Sequence, residues 1–298
     1  MSRLIESILI PTDDSEGALA GAKLGVALAS RVGADVHVLS VVERRDDLID
    51  FGDDVALPSL EEQAEEATET VAKMAHDYDE NLQVTTSVRQ GTPFQSIREY
   101  ASRREIDVIA MGTKGQTGLG RVLLGGVTEN VLRTARKPVL AVPPEADVPS
   151  VDDGTFERLL LPTDGSDGAT VATEWGIPLA NLLGSTVHTL FSIEVGPFSG
   201  LPESQGALEE LERRGEEAIQ AVRERAADVD VTVSGSIETG PPVKNIHTYV
   251  IDHDVDLIVM GTHGRTGIGQ WFLGSVTENV VRQVDVPVFC VPVSAETP

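Results

Sequence analysis

A glycine pattern written twice constrains this 298-residue chain more than any other feature. Gly112-Thr-Lys-Gly115, nine residues, then Gly125-Gly126-Val127-Thr128 returns 149 positions later. The second copy reads Gly261-Thr-His-Gly264, nine residues, then Gly274-Ser275-Val276-Thr277. Each copy follows an apolar run ending in Met-Gly and leads through Thr-Glu-Asn-Val to Pro-Val-x-x-Val-Pro. Between Met111 and Pro143, 19 of 33 positions match Met260 to Pro292. Self-similarity at a fixed offset is the mark of a duplicated structural unit. The length allows two domains of roughly 150 residues each. A unit of that size can bury a core without disulfides or a structural metal.

Both halves read as alternating strands and helices. In the first, strands are expected at 7–11, 35–42, 83–89, 107–111 and 138–142, with helices at 17–32, 60–79, 93–104 and 128–134. The second half repeats that order, with Pro178 inside its first helix, where a kink or a shortened helix is expected. Alternation of this kind implies a mainly parallel sheet covered on both faces. The expected organisation is a domain over 1–143, a polar linker rich in Pro and Asp over 144–156, and a second domain over 157–298.

The net charge is −25, and only five of the 23 basic residues are lysine. Acidic residues are spread through both halves, which fits adaptation to a salt-rich cytoplasm better than a localised acidic function. No basic stripe is present to neutralise phosphates, so generic nucleic-acid binding is not expected. The single cysteine, Cys290, lies in an apolar run and reads as a buried structural thiol. No run approaches the roughly 20 apolar residues of a membrane span. A cytoplasmic location is the expectation.

In an open parallel sheet, ligands bind outside the carboxyl ends of the strands where the strand order reverses. The first strand of each half ends in Pro11-Thr12-Asp13 or Pro162-Thr163-Asp164, and the second passes Val41 or Ser192 near its end. The fourth ends in the glycine loop. Asp13 and Asp164 can accept hydrogen bonds from ribose hydroxyls or a base amine. Val41 and Ser192 can line a base. The glycines allow close approach to a phosphate. Ser275, Thr277 and Thr128 add hydroxyl donors at a helix start, where the dipole favours an anion. His263, with Lys114 as its counterpart, is a further candidate for phosphate contact. The same Asp-x-Ser run is also a plain helix cap.

Both halves resemble the universal stress protein family, in particular its ATP-binding subclass with the motif Gly-x2-Gly-x9-Gly-(Ser/Thr). The second half matches through Gly261, Gly264, Gly274 and Ser275; the first matches at Gly112, Gly115 and Gly125 but carries Gly126 at the hydroxyl position. The resemblance implies an α/β fold. It predicts two tandem Rossmann-like domains of the adenine nucleotide alpha-hydrolase-like kind, each a five-stranded parallel sheet of order 3-2-1-4-5 with helices on both faces. It implies that Pro11, Thr12, Asp13, Val41, Met111, Val127 and Thr128 line one pocket. Pro162, Thr163, Asp164, Ser192, Met260, Val276 and Thr277 would line the other. It also suggests that the fifth strands, edges of their own sheets, pair across a two-fold. Here the two halves would form that pseudo-dimer within one chain, with a further homodimer of chains as an additional level.

Several chemistries lack their motifs. There is no Gly-x4-Gly-Lys-(Ser/Thr) phosphate loop, Gly-x-Ser-x-Gly elbow, His-Glu-x-x-His helix or Cys-x-x-Cys pair. His37 and His188 occupy equivalent strand positions and read as structural. The function that the resemblance implies is a stress-response module that binds ATP, or ADP or AMP, and is read by a protein partner not named by the sequence. Mg²⁺ or Mn²⁺ would be held through the phosphates, with no dedicated metal ligands and no catalytic residues. A slow ATPase or phosphotransferase, and a scaffold with vestigial pockets, are the alternatives.

Overall fold

The computed structural model describes residues 4–43, 56–114, 124–146, 156–194, 205–264 and 273–296. The chain divides into two compact units, Met1–Asp153 and Gly154–Pro298. The linker expected over 144–156 lies largely outside the described residues.

The first unit runs β1 (Ser7–Pro11), α1 (Glu16–Val32), β2 (Asp35–Val42), α2 (Ala56–Tyr78), β3 (Val84–Gln90), α3 (Pro93–Arg103), β4 (Val108–Gly112), α4 (Gly126–Thr134) and β5 (Val139–Val142). All its strand pairs are parallel and give the order β3-β2-β1-β4-β5. Leu9 of β1 sits between His37 of β2 and Ile109 of β4. Ile8, Leu9 and Ile10 are all fully buried, as they must be where helices cover both faces.

The second unit repeats this as β6 (Arg158–Thr163), α5 (Asp167–Leu183), β7 (Thr186–Ile193), α6 (Gln205–Ala226), β8 (Val233–Thr239), α7 (Pro242–Asp252), β9 (Leu257–Gly261), α8 (Ser275–Gln283) and β10 (Val288–Val291). Its parallel order is β8-β7-β6-β9-β10. Both sheets therefore have the expected order 3-2-1-4-5.

Start and stop signals explain the first helices. Ser15 and Ser166 cap α1 and α5 by accepting from the Ala18 and Ala169 N–H groups. Gly33 and Gly184 end them in the left-handed region, at φ 71° and 75°. Pro178 neither shortens nor interrupts α5, which has the same 17 residues as α1. Packing of its buried face outweighs the lost N–H at that position. The helices after the glycine motif begin at Gly126 and Ser275, two residues before the expected Thr128 and Thr277. Both threonines consequently lie inside the first turn.

The equivalent histidines are structural. His37 Nδ1 lies 3.0 Å from the Tyr100 hydroxyl, and His188 Nδ1 lies 3.0 Å from that of Tyr249. Burial, aided by Arg104, holds His37 below the usual imidazole range. Burial, with His253 and Arg158 adding to it, does the same to His188. Cys290 is fully buried in β10, which pushes its thiol well up and removes it as a nucleophile. Among the described residues no helix is long and apolar enough to cross a membrane.

Candidate functional site

The order of the strands fixes the geography. In the second unit β6 stands between β7 and β9, so its carboxyl end divides two walls. One wall comes from β7 and α7, the other from β9, its loop and the start of α8. A cleft at this point is lined by Pro162, Thr163 and Asp164 from the end of β6 and by Ser166 and Ala169 from the start of α5. Leu190, Ser192, Pro242 and Ile246 form the first wall. Met260, Gly261, His263, Gly264, Val276 and Thr277 form the second.

The end of β6 is held by short-range bonds. Thr163 Oγ1 accepts from Gly165 N at 3.2 Å, and Asp164 Oδ1 accepts from Ser166 N at 3.0 Å. Ser166 then caps α5. In the first unit Asp13 Oδ1 accepts from both the N–H and the hydroxyl of Ser15, at 3.1 and 2.6 Å. The capping and ligand-binding readings of this aspartate are thus compatible. One oxygen of Asp164 serves the turn, and Oδ2 faces Gly264, 3.2 Å from where a Cβ there would lie.

The glycine motif has two structural jobs that differ from the one expected. Gly112 and Gly261 end β4 and β9 directly against the backbone of Gly17 and Gly168 at the start of the first helices. A Cβ on Gly168 would collide with the His263 carbonyl oxygen, and one on Gly17 with that of Lys114. Backbone packed on backbone, rather than approach to a ligand, demands glycine at these positions. Gly125 and Gly274 close the loop: Gly125 N donates to Thr113 O at 2.8 Å and Gly274 N to Thr262 O at 2.7 Å. A Cβ on Gly274 would come within 3.1 Å of that same Thr262 oxygen.

The threonine hydroxyls are also committed. Thr128 Oγ1 donates to Gly112 O, and Thr277 Oγ1 to Gly261 O, each at 2.7 Å. They tie the helix start to the strand end, so they do not act as the hydroxyl donors to an anion that the sequence suggested. What remains for an anion is backbone. Gly125 and Gly274 occupy the N-cap positions of α4 and α8, and neither helix has a side-chain cap. Their first-turn N–H groups keep the donors that a cap would otherwise satisfy.

In the first unit Pro11 ends β1 and Thr12 and Asp13 follow it, Val41 lies near the end of β2, and Met111 and Gly112 end β4. Gly125, Gly126, Val127 and Thr128 form the start of α4. Gly115 lies outside the described residues. In the second unit the cleft gathers every expected lining residue, with Gly261, His263 and Gly264 among them. Gly274 and Ser275 are not in its wall but immediately precede Val276, which is.

Five wall residues lie outside the lining expected from the sequence: Ser166, Ala169, Leu190, Pro242 and Ile246. Each is identical to its counterpart in the first half, namely Ser15, Ala18, Leu39, Pro93 and Ile97. Repeat identity outside the glycine motif was the signal that could have found them. Of the fifteen wall residues, only Ser192 and His263 differ from their counterparts, Val41 and Lys114.

The second difference changes the electrostatics. Lys114 Nζ is 3.4 Å from Glu145 Oε1. His263 has Ser294 in place of that glutamate. Its Nδ1 lies 2.9 Å from Thr262 Oγ1, while Nε2 is buried with no hydrogen-bond partner. Among the described residues no group of three His, Cys, Asp or Glu is placed to hold a metal ion.

A parallel sheet of order 3-2-1-4-5, with a crevice where that order reverses, defines each unit as a Rossmann-like α/β domain. The chain belongs to the universal stress protein family: the model of that family matches residues 5–143 and again 155–292. A universal stress protein of Methanocaldococcus jannaschii is 36% identical over 149 residues, covering 47% of this chain and 82% of that protein. One from Synechocystis is 24% identical over 307 residues, covering 95% of this chain and 99% of the other. Among solved structures, a universal stress protein from Archaeoglobus fulgidus superposes with a TM-score of 0.72 at 24% identity, over 98% of this chain and 99% of that one. That likeness concerns the fold.

Proposed function

We propose that each domain binds ATP or a related adenine nucleotide, and that occupancy changes how a protein partner reads the chain in a stress response. The base would lie against the wall from β2 and α3, or β7 and α7. The ribose would meet Asp13 or Asp164. The phosphates would meet the uncapped starts of α4 and α8, with His263 Nε2 as an added contact in the second domain. The observation that carries this reading is the contrast in capping within one crevice. Ser15 and Ser166 cap α1 and α5, and α3 and α7, which also lack a side-chain cap, begin on Pro93 and Pro242, which have no N–H to offer, while α4 and α8 keep their first-turn donors. Mg²⁺ or Mn²⁺ would bind through phosphate oxygens and water. The role assigned is holding rather than hydrolysing, in the cytoplasm, and the charge of −25 is read as adaptation to concentrated salt.

The test is the nucleotide content of the chain purified in high salt. Denaturation followed by mass spectrometry should release adenine nucleotide near one or two moles per chain. Release of none, with no heat on adding ATP, would leave the scaffold alternative. ATP turnover well above the uncatalysed rate would favour the enzyme.

A further inference from the structure

We propose that Ser192, oriented by Asn245, selects the base in the second domain by donating a hydrogen bond to a purine ring nitrogen; this rests on the nucleotide reading above. Ser192 stands two residues after Leu190 on β7 and shares its face of the strand. Both lie in the wall completed by Pro242 and Ile246 of α7. This is the otherwise apolar side of the cleft, and Ser192 is its one departure from the first domain, where Val41 offers no hydrogen bond.

The hydroxyl is oriented from behind. Asn245 Nδ2 lies 3.2 Å from Ser192 Oγ, 3.3 Å from Gly240 O and 3.4 Å from Glu238 O. Two backbone carbonyls beside it require the NH₂ end of the amide at this point, because the opposite orientation would set oxygen against oxygen. The amide therefore donates and Ser192 Oγ accepts. A hydroxyl whose accepting role is fixed in this way presents its own proton elsewhere. That proton has no acceptor among the described residues, and the side chain faces the cleft. The first domain has Ser96 where the second has Asn245, so the two departures form a pair: Val41 with Ser96, Ser192 with Asn245. A fixed donor complements an endocyclic nitrogen of adenine, at position 1, 3 or 7, and not its amino group.

The experiment is calorimetric titration of the full chain with ATP and with its 1-deaza, 3-deaza and 7-deaza analogues. One analogue should lose roughly three- to tenfold in affinity at one site, the scale of one net hydrogen bond. Ser192→Val and Ser192→Ala should abolish that loss. Asn245→Ser should shrink it while leaving ATP binding in place, which marks a positioning residue. The inference is overturned if all three analogues bind as ATP does, or if the penalty survives in both Ser192 variants. Failure of ATP and every analogue to bind at either site would instead overturn the nucleotide reading beneath it.

Discussion

Replacing Gly126 by serine should convert the first domain's phosphate end into a copy of the second's. The backbone permits it: Gly126 follows an N-cap at φ −62° and ψ 137°, and Ser275 follows one at φ −58° and ψ 137°. A Cβ built on Gly126 meets nothing within 4 Å, so no neighbour has to move. Two effects follow. Removing glycine from the first turn of α4 stabilises the empty domain by about 0.5 kcal/mol. The added hydroxyl gains one hydrogen bond to a charged phosphate oxygen, about 1–1.5 kcal/mol in a solvated site, or roughly five- to tenfold in affinity. Titration with ATP and with adenosine separates the two. ATP should gain at the first site and adenosine should not, while Ser275→Gly should weaken ATP at the second. Equal gains for both ligands would mean that helix order, not phosphate contact, is responsible. No gain for either would place the phosphates elsewhere than the start of α4.

Gly168→Ala should destabilise the second domain by about 1–3 kcal/mol, because its Cβ meets the His263 backbone rather than a movable side chain; Gly126→Ala should leave the melting temperature unchanged or raised. His37 and His188 both have imidazoles depressed by burial, so the stability they contribute is present above the unfolded value of about 6.5 and is lost as pH falls below it. Thermal melts from pH 7.5 to 5.5 should show that loss, and a His37→Gln/His188→Gln variant should flatten it; an unchanged slope would refute the assignment. Glu145→Gln should release Lys114 and raise ATP affinity at the first site by up to about fivefold in low salt and much less in 1 M salt, the pair being partly exposed. Adaptation to salt predicts a melting temperature that rises steadily between 0.1 and 3 M KCl; a flat response would return the acidic surface to some other role.

Much of this architecture was legible because each half checks the other. The order of elements followed from periodicity, and most strand limits fell within two residues of the observed ones. The glycine spacing placed the cleft. What the linear pattern hid was the reason for each glycine. Gly112 and Gly261 face Gly17 and Gly168, about 95 residues earlier in the chain, and a one-dimensional motif does not show which backbones touch. The same holds for Thr128 and Thr277, whose hydroxyls looked available until the start of each helix moved back two residues and aimed them at a strand carbonyl. Pro178 does not shorten its helix, because its cost is local while the packing that offsets it is distributed over a whole helix face. Leu190, Pro242 and Ile246 carry no local signal of a wall, since an apolar residue in a wall and one in a core look alike in sequence.

The contact between Gly261 and Gly168 also bears on how ligand news could travel. Side chains at an interface absorb small displacements by changing rotamer, and two glycines have none to change. A shift at the end of β9 is therefore passed directly to the first turn of α5, through main chain alone. Amide exchange at Ala169 and Thr170 should respond to whatever settles on the glycine loop, even though the loop and that helix are far apart along the chain. The joint is stiff, and it costs each half its freedom to vary these two positions.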